Sequence, residues 1–228
     1  MDISIIIPVY NEEASISEIF KKVHALDLKD LGKEILIIDD GSTDETKEIL
    51  KGFLKHKNVK VITHQSNFGK GRAIRTGIEH SKGDIIAIQD SDLEYDPNQL
   101  PELISHIVKG EDVVYGSRFK GSVENMAFHF YIGNKFLSLA TRILYHTPIS
   151  DMETGFKIFK RRVLEGIHLE SDGFDIEPEL TAKIIRRSYK ILEVPIKYRA
   201  REKEEKKITF IDGIRALVAL VKYRFKKL

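Results

Sequence analysis

At 228 residues the chain is long enough to bury a sizeable core, and with 42% apolar and 32% charged residues it is neither a disordered chain nor one built from membrane spans. It has no cysteine, which excludes disulfides and thiolate metal sites and leaves oxygen or imidazole ligands for any metal. A net charge of +2 is too balanced for a general nucleic-acid binder, although the basic residues crowd the C-terminal half.

ISIIIPV (3–9) and EILIID (34–39) are short, continuous, isoleucine-rich runs of the kind that form strands buried on both faces. VKVITH (59–64) and DIIAIQ (84–89) repeat the pattern. Between them the spacing predicts helices over 13–26, 44–55 and 69–80, with Ser42, Thr43 and Asp44 offering an N-cap for the second. This alternation predicts a parallel sheet with right-handed crossovers, hence a doubly wound α/β core with helices on both faces. DVVYGS (112–117) supplies a fifth strand, and after Phe119 the alternation fails. A long helix is expected over 126–145, strands over 156–161 and 191–198, a helix over 177–187 with Pro178 in its first turn, and a basic helix over 210–225. There is no internal repeat and no low-complexity linker. A single domain over 1–228 is expected, with parts 1–119, 120–207 and a C-terminal amphipathic helix at 208–228.

A doubly wound sheet would bring Asp39 and Asp40, at the end of the second strand, to the same rim as Asp90 and Asp92 after the fourth. Asp90, Asp92, Glu94 and Asp96 fall within seven residues, where like charges repel unless a cation or water relieves them. Plainer roles exist for each. Asp39, Asp40 and the following GSTD could cap a helix, and Glu94 and Asp96 could form a solvated turn before Pro97. NFGKGRA (67–73) lacks the spacing of a phosphate-binding loop; Gly69 and Gly71 are expected to shape a helix start, with Lys70 or Arg72 near any ligand. The eight histidines are scattered and read as packing or surface residues.

SIIIPVYNEEASI, LIIDDGSTDET, SNFGKGRAIRTGIEHSKGDIIAIQDSDLEYDP and DVVYGSRF resemble, in order and spacing, the nucleotide-sugar half of inverting family-2 glycosyltransferases. SDMETGFKIFKR, FDIEPELTAKIIRRSYKILEVPIKYRAR and DGIRALVAL resemble the branch containing dolichyl-phosphate mannose synthases and related polyprenyl-phosphate glycosyltransferases. The resemblance implies a GT-A type fold: one Rossmann-like α/β domain with a mostly parallel central sheet, 1–119 forming the nucleotide-sugar half and 120–207 the acceptor side. It implies that Pro8, Tyr10 and Glu12 contact nucleobase and ribose, and that Asp39 holds the base or ribose edge. Asp90 and Asp92 would handle ribose, diphosphate and a Mg²⁺ or Mn²⁺ ion, with Glu94 as a further acidic ligand. Arg118 and Arg201 match positions that face phosphate, with Lys206 and Lys207 assisting.

The donors implied are GDP-mannose or UDP-glucose and the acceptor a polyprenyl phosphate, which is mostly ionised at neutral pH and needs no strong catalytic base. Asp151 and Glu153 match acceptor-side acids. They are expected to position an arginine or the acceptor loop, or to act as general base if the acceptor is a hydroxyl. Departures from the family pattern are Ser91, Glu94, the trio His129, Asn134 and Lys135, and the absence of glycine in the loop after Arg201. They leave open a sugar or protein hydroxyl acceptor, or an inactive scaffold of the same fold. A nucleotidyltransferase is disfavoured, because PVYNEEAS puts negative charge where a basic loop would be needed. In the last helix Phe210, Ile211, Ile214, Leu217, Val218 and Val221 share one stripe beside Arg215, Lys222, Arg224, Lys226 and Lys227. That stripe packs on a core or rests on an anionic membrane. No run reaches the roughly 18 apolar residues of a membrane span, and MDISIIIPVYNEE does not read as a signal peptide. The expectation is a cytoplasmic protein, at the cytoplasmic face of the membrane.

Overall fold

The structure is a computed structural model that describes residues 1–201 and 209–226. The chain lays down β1 (Asp2–Val9), α1 (Ile16–Ala25), β2 (Gly32–Asp39), α2 (Thr46–Lys51), β3 (Val59–Thr63), α3 (Lys70–His80) and β4 (Ile85–Ile88). Then come α4 (Leu100–Val108), β5 (Val113–Glu124), α5 (Phe128–Tyr145), β6 (Lys157–Lys160), α6 (Ile176–Arg186), β7 (Leu192–Arg199) and α7 (Phe210–Phe225). The strands form one sheet in the order β3-β2-β1-β4-β6-β5-β7.

β1, β2, β3 and β4 pair in parallel, as the alternation of strands and helices requires. β6 runs antiparallel to both β4 and β5, and β7 runs parallel to β5. Successive side chains of a strand point to opposite faces, so the isoleucine runs feed two cores at once. Ile3, Ile5, Ile7, Ile35 and Ile37 pack with α1, α2 and α4 on one face. Ile6, Leu36 and Ile38 pack with α3, α5, α6 and α7 on the other. The doubly wound, mostly parallel α/β architecture expected from the sequence is the one observed.

Some boundaries differ from expectation. α2 is shorter than 44–55 and starts at Thr46, whose backbone N–H donates to Asp44 Oδ1 at 3.0 Å. β5 runs on through position 119, pairing with β7 on both sides of an irregularity between Ser117 and Ser122. α4 was not anticipated. Its Leu100, Leu103, Ile104 and Ile107 have helical spacing and are buried, but Pro97 and Pro101 obscured it, and both prolines sit where a helix start tolerates them. No helix among the described residues is long and apolar enough to cross a membrane.

Candidate active site

Because β1, β2 and β4 are parallel neighbours, their C-terminal ends open onto one rim, where Pro8, Asp39 and Asp90 follow from three separate stretches of sequence. The antiparallel β6 adds its beginning to the same rim, since Lys157 lies opposite Ile88 of β4. Gly155, just before β6, lies so close to Asp90 that a Cβ there would displace the Asp90 carboxylate. Above the rim lies a cavity of about 1210 Å³ whose wall includes Pro8, Tyr10, Glu12, Asp90, Asp92 and Glu94, and also Arg118, Glu153 and Arg201. Of the expected site residues, Asp39 and Asp151 stand behind this wall.

Arg201, just past β7, is the hub of the acidic side. Its Nη1 donates to Glu12 Oε1 at 3.1 Å and its Nη2 to Asp92 Oδ2 at 3.1 Å, while its backbone N–H donates to Glu94 Oε1 at 2.8 Å. Tyr198 donates its hydroxyl to the other Glu94 oxygen. Burial, reinforced by the charges of Asp90 and Glu94, pushes the Asp92 carboxyl up to about 7 against the opposing pull of Arg201. Lys206 and Lys207 lie outside the described residues.

Asp39 is fully buried; it accepts the Ser42 backbone N–H at 3.0 Å through Oδ1, while its Oδ2 is buried without a hydrogen-bond partner. Its neighbour Asp40 reaches the cavity wall and accepts the Phe68 and Gly69 backbone N–H groups and the ring of His64. These bonds fix the turn in which Gly69 has φ 103°, a conformation that glycine adopts without strain, and so aim Lys70 into the cavity. Lys70 Nζ stands 2.7 Å from Asp90 Oδ1 and 3.0 Å from Glu177 Oε1.

Arg118 is buried and gripped by Asp151: Nε donates to Oδ2 at 2.8 Å, Nη2 to Oδ1 at 2.7 Å, and the Arg118 backbone N–H also reaches Oδ2 at 2.8 Å. Its guanidinium lies 5.2 Å from the Tyr198 ring centroid. Glu153 keeps Oε1 out of solvent with no hydrogen-bond partner, and burial pushes its carboxyl up to about 7. Sequence reasoning missed Glu177 and Lys157. Both are buried and ion-paired with each other, but in the sequence they read as an ordinary helix start and an ordinary strand residue.

A Mg²⁺ or Mn²⁺ ion needs oxygen ligands, and Asp90, Asp92 and Glu94 supply them on one wall. Lys70 and Arg201 stand on those oxygens, and among the described residues no group of three His, Asp or Glu side chains is arranged to hold an ion. The donor chemistry fits, and the repulsion felt by Asp92 is of the kind a divalent cation relieves. A preformed coordination shell is lacking among the described residues.

Where α5 and α7 border the cavity its lining is largely apolar, with His129, Asn134 and Asp212 interspersed. Phe128, Ile132 and Phe136 of α5 and Ile214 and Leu217 of α7 line it. Both helices turn further apolar side chains to solvent: Leu139 and Ile143 on α5, and Ile211, Val218, Val221 and Phe225 on α7. α7 packs on the core through its opposite stripe of Ala216, Ala219, Leu220 and Tyr223, so the stripe singled out in the sequence faces mostly outward.

The described geometry has known counterparts. The chain is 32% identical to a dolichol-phosphate mannosyltransferase of Pyrococcus furiosus, covering 98% of this chain and 64% of that protein. It is 30% identical to the low-salt glycan biosynthesis hexosyltransferase Agl6 of Haloferax volcanii, covering 93% of this chain and 51% of that one. The chain thus spans less than two thirds of the length of these relatives. Among solved structures, glucosyl-3-phosphoglycerate synthase from Mycobacterium tuberculosis with UDP superposes at a TM-score of 0.76 and 21% identity, covering 98% of this chain and 80% of that one. The same enzyme with Mn²⁺, UDP and phosphoglyceric acid gives 0.73 at 20% identity, covering 98% of this chain and 78% of that one. These likenesses establish the fold, which is of the GT-A type. The family model for glycosyl transferase family 2 matches residues 4–167, most of the sheet and the acidic rim with it, and the chain belongs to that family.

Proposed function

We propose that the protein is a metal-dependent, inverting glycosyltransferase that moves one hexose from a nucleotide-diphosphate sugar, GDP-mannose or UDP-glucose, to a polyprenyl phosphate at a membrane surface. The observation that carries this reading is that one cavity joins a carboxylate-lined end at Asp90 and Asp92 to a largely apolar end built by α5 and α7. An acceptor with an anionic head and a hydrocarbon tail matches both ends. Agl6 is described as a hexosyltransferase and the P. furiosus relative as a dolichol-phosphate mannosyltransferase, which supports the choice of sugar and acceptor.

In this reading Pro8, Tyr10 and Glu12 border the nucleoside, and Asp90 and Asp92 face the diphosphate together with Mg²⁺ or Mn²⁺. The ion would offset the charge that develops on the departing diphosphate. Arg118 and Arg201 border the acceptor phosphate, whose charge at neutral pH makes it a nucleophile without proton removal. Direct displacement at the anomeric carbon inverts its configuration. α5 and α7 rest their apolar side chains on the membrane, with Arg215, Lys222 and Lys226 near anionic headgroups.

The test is a donor panel with Mn²⁺ or Mg²⁺, read out as transfer to a short polyprenyl phosphate. Turnover with one donor, lost with EDTA and in Asp92→Ala, is expected. Failure of the wild type to bind UDP or GDP in the presence of either metal would refute the reading.

A further inference from the structure

We infer that His64 is a positioning residue for the donor side of the site: its ring holds Asp40, and through Asp40 the turn that brings Lys70 to the cavity wall. This inference rests on the function proposed above and adds a residue that acts from behind that wall.

His64 directly follows β3, and its backbone N–H continues the pairing with β2 by donating to the Asp39 carbonyl at 2.8 Å. That register sets its side chain beside Asp40. Nδ1 lies 2.7 Å from Asp40 Oδ1, and Nε2 lies 3.0 Å from Thr76 Oγ1 of α3. An ionised carboxylate can only accept, so the ring donates from Nδ1, and in the neutral ring Nε2 is left to accept the Thr76 hydroxyl proton. Phe68 sets its ring edge-on against the same imidazole, 5.6 Å between centroids. One side chain thus ties the ends of β2 and β3 to α3 and to the turn that precedes it.

A line of carboxylate, imidazole and hydroxyl also suits nucleophilic catalysis, but neither His64 nor Thr76 lines the cavity, whereas Asp40 does. The ring therefore acts through the carboxylate. Asp40 is buried, and among the described residues no lysine or arginine pairs with it. Its charge is met by the imidazole and by the Phe68 and Gly69 backbone N–H groups, at 3.0 and 2.6 Å. Without the imidazole the carboxylate is short of a donor and free to turn. The turn it holds has little slack: Gly69 has φ 103°, and a Cβ on Gly69 or Gly71 would run into the carbonyl oxygen of Asp172 or Ser171. Lys70 follows in the first turn of α3, with its Nζ 2.7 Å from Asp90 Oδ1. A shift of the turn draws that ammonium away and leaves the Asp90 charge to repel a diphosphate.

The experiment measures binding of UDP and GDP with Mn²⁺ by calorimetry in the wild type, His64→Leu, Lys70→Met and the double variant. The diphosphate that the wild type binds is expected to bind about ten-fold or more weakly to each single variant. The double variant should bind it within about two-fold of Lys70→Met alone, because both changes remove the same contact. Losses that multiply in the double variant, or no loss in His64→Leu, would overturn the inference. Should His64→Leu fail to fold, two milder variants decide: His64→Asn sets an amide where Nδ1 stands, and His64→Gln sets one where Nε2 stands. His64→Asn should bind the diphosphate within about three-fold of wild type and His64→Gln about ten-fold more weakly. Equal affinities in these two would rule out the route through Asp40. A wild type that binds neither diphosphate sinks the proposed function itself, whereas wild-type binding with multiplying losses sinks only this inference.

Discussion

Arg201 Nη1 and Glu12 Oε1 stand 3.1 Å apart across 189 residues of sequence, and the same guanidinium reaches Asp92, so one arginine closes the acidic wall. Its Nε is buried without a hydrogen-bond partner. Arg201→Ala removes a cation from the acceptor side and the side-chain contacts to Glu12 and Asp92 with it, while the backbone bond to Glu94 stays. The expected outcome is a loss of transfer to polyprenyl phosphate of about 100-fold with nucleotide binding within a few-fold of wild type, measured as kcat/KM against calorimetric Kd. Parallel loss of both would place Arg201 on the donor instead.

Asp151 accepts three hydrogen bonds from Arg118 and is itself fully buried. Removing one partner of a buried pair leaves the other charge stranded, which costs about 3–5 kcal/mol. Asp151→Ala is therefore expected to lower the urea midpoint by that equivalent, and Arg118→Met with Asp151→Leu to recover much of it. A single substitution that costs under about 1 kcal/mol would mean that Arg118 finds a second anion.

Glu153 gives a pH signature. Burial is the largest cause of its raised carboxyl; Glu177 and Asp151 push the same way, and Lys157 and Arg118 oppose. A carboxyl near 7 in the folded chain and 4.5 when unfolded binds its proton more tightly when folded. Its contribution to stability therefore falls as pH rises from about 4.5 through 7 and is flat above. Glu153→Gln should match the wild type near pH 5 and exceed it at pH 8 by roughly 1–3 kcal/mol in denaturant titrations. Parallel stability curves for the two proteins across that range would refute the assignment.

The outward stripe of α7 can be tested apart from chemistry. Val218→Lys with Val221→Lys changes two exposed positions that do not line the cavity, so the melting temperature should hold. Flotation with anionic phospholipid vesicles should weaken by about ten-fold or more, since each apolar side chain buried in the interface contributes about 1.5–3 kcal/mol. Equal flotation of variant and wild type would remove α7 from the docking surface.

Much of the fold was legible because β1, β2 and β4, the centre of the parallel half, are continuous isoleucine-rich runs, as burial on both faces requires. The carboxylates at the strand ends were legible for the same reason. The direction of β6 was not, since an antiparallel strand between parallel neighbours leaves no trace in KIFK. Nor was the partner of Lys70. Glu177 lies 107 positions away, and only the side-by-side placement of α3 and α6 makes the pair. Arg118 and Arg201 were read as similar cations, yet one is locked on a single buried carboxylate and the other is shared among Glu12, Asp92 and Glu94. Spacing carries no information about that difference, which comes from how the second half of the sheet folds back.

The last turn of α7 is fastened to α6. Arg186 donates to the Tyr223 carbonyl at 2.7 Å, and Lys222 and Lys226 meet Glu170 in the segment leading into α6. Glu177 lies in the first turn of α6, so the same helix reaches from these contacts to the charged corner beside Asp90. One fastened pair of helices thus carries both the outward apolar stripe and a charged part of the cavity wall.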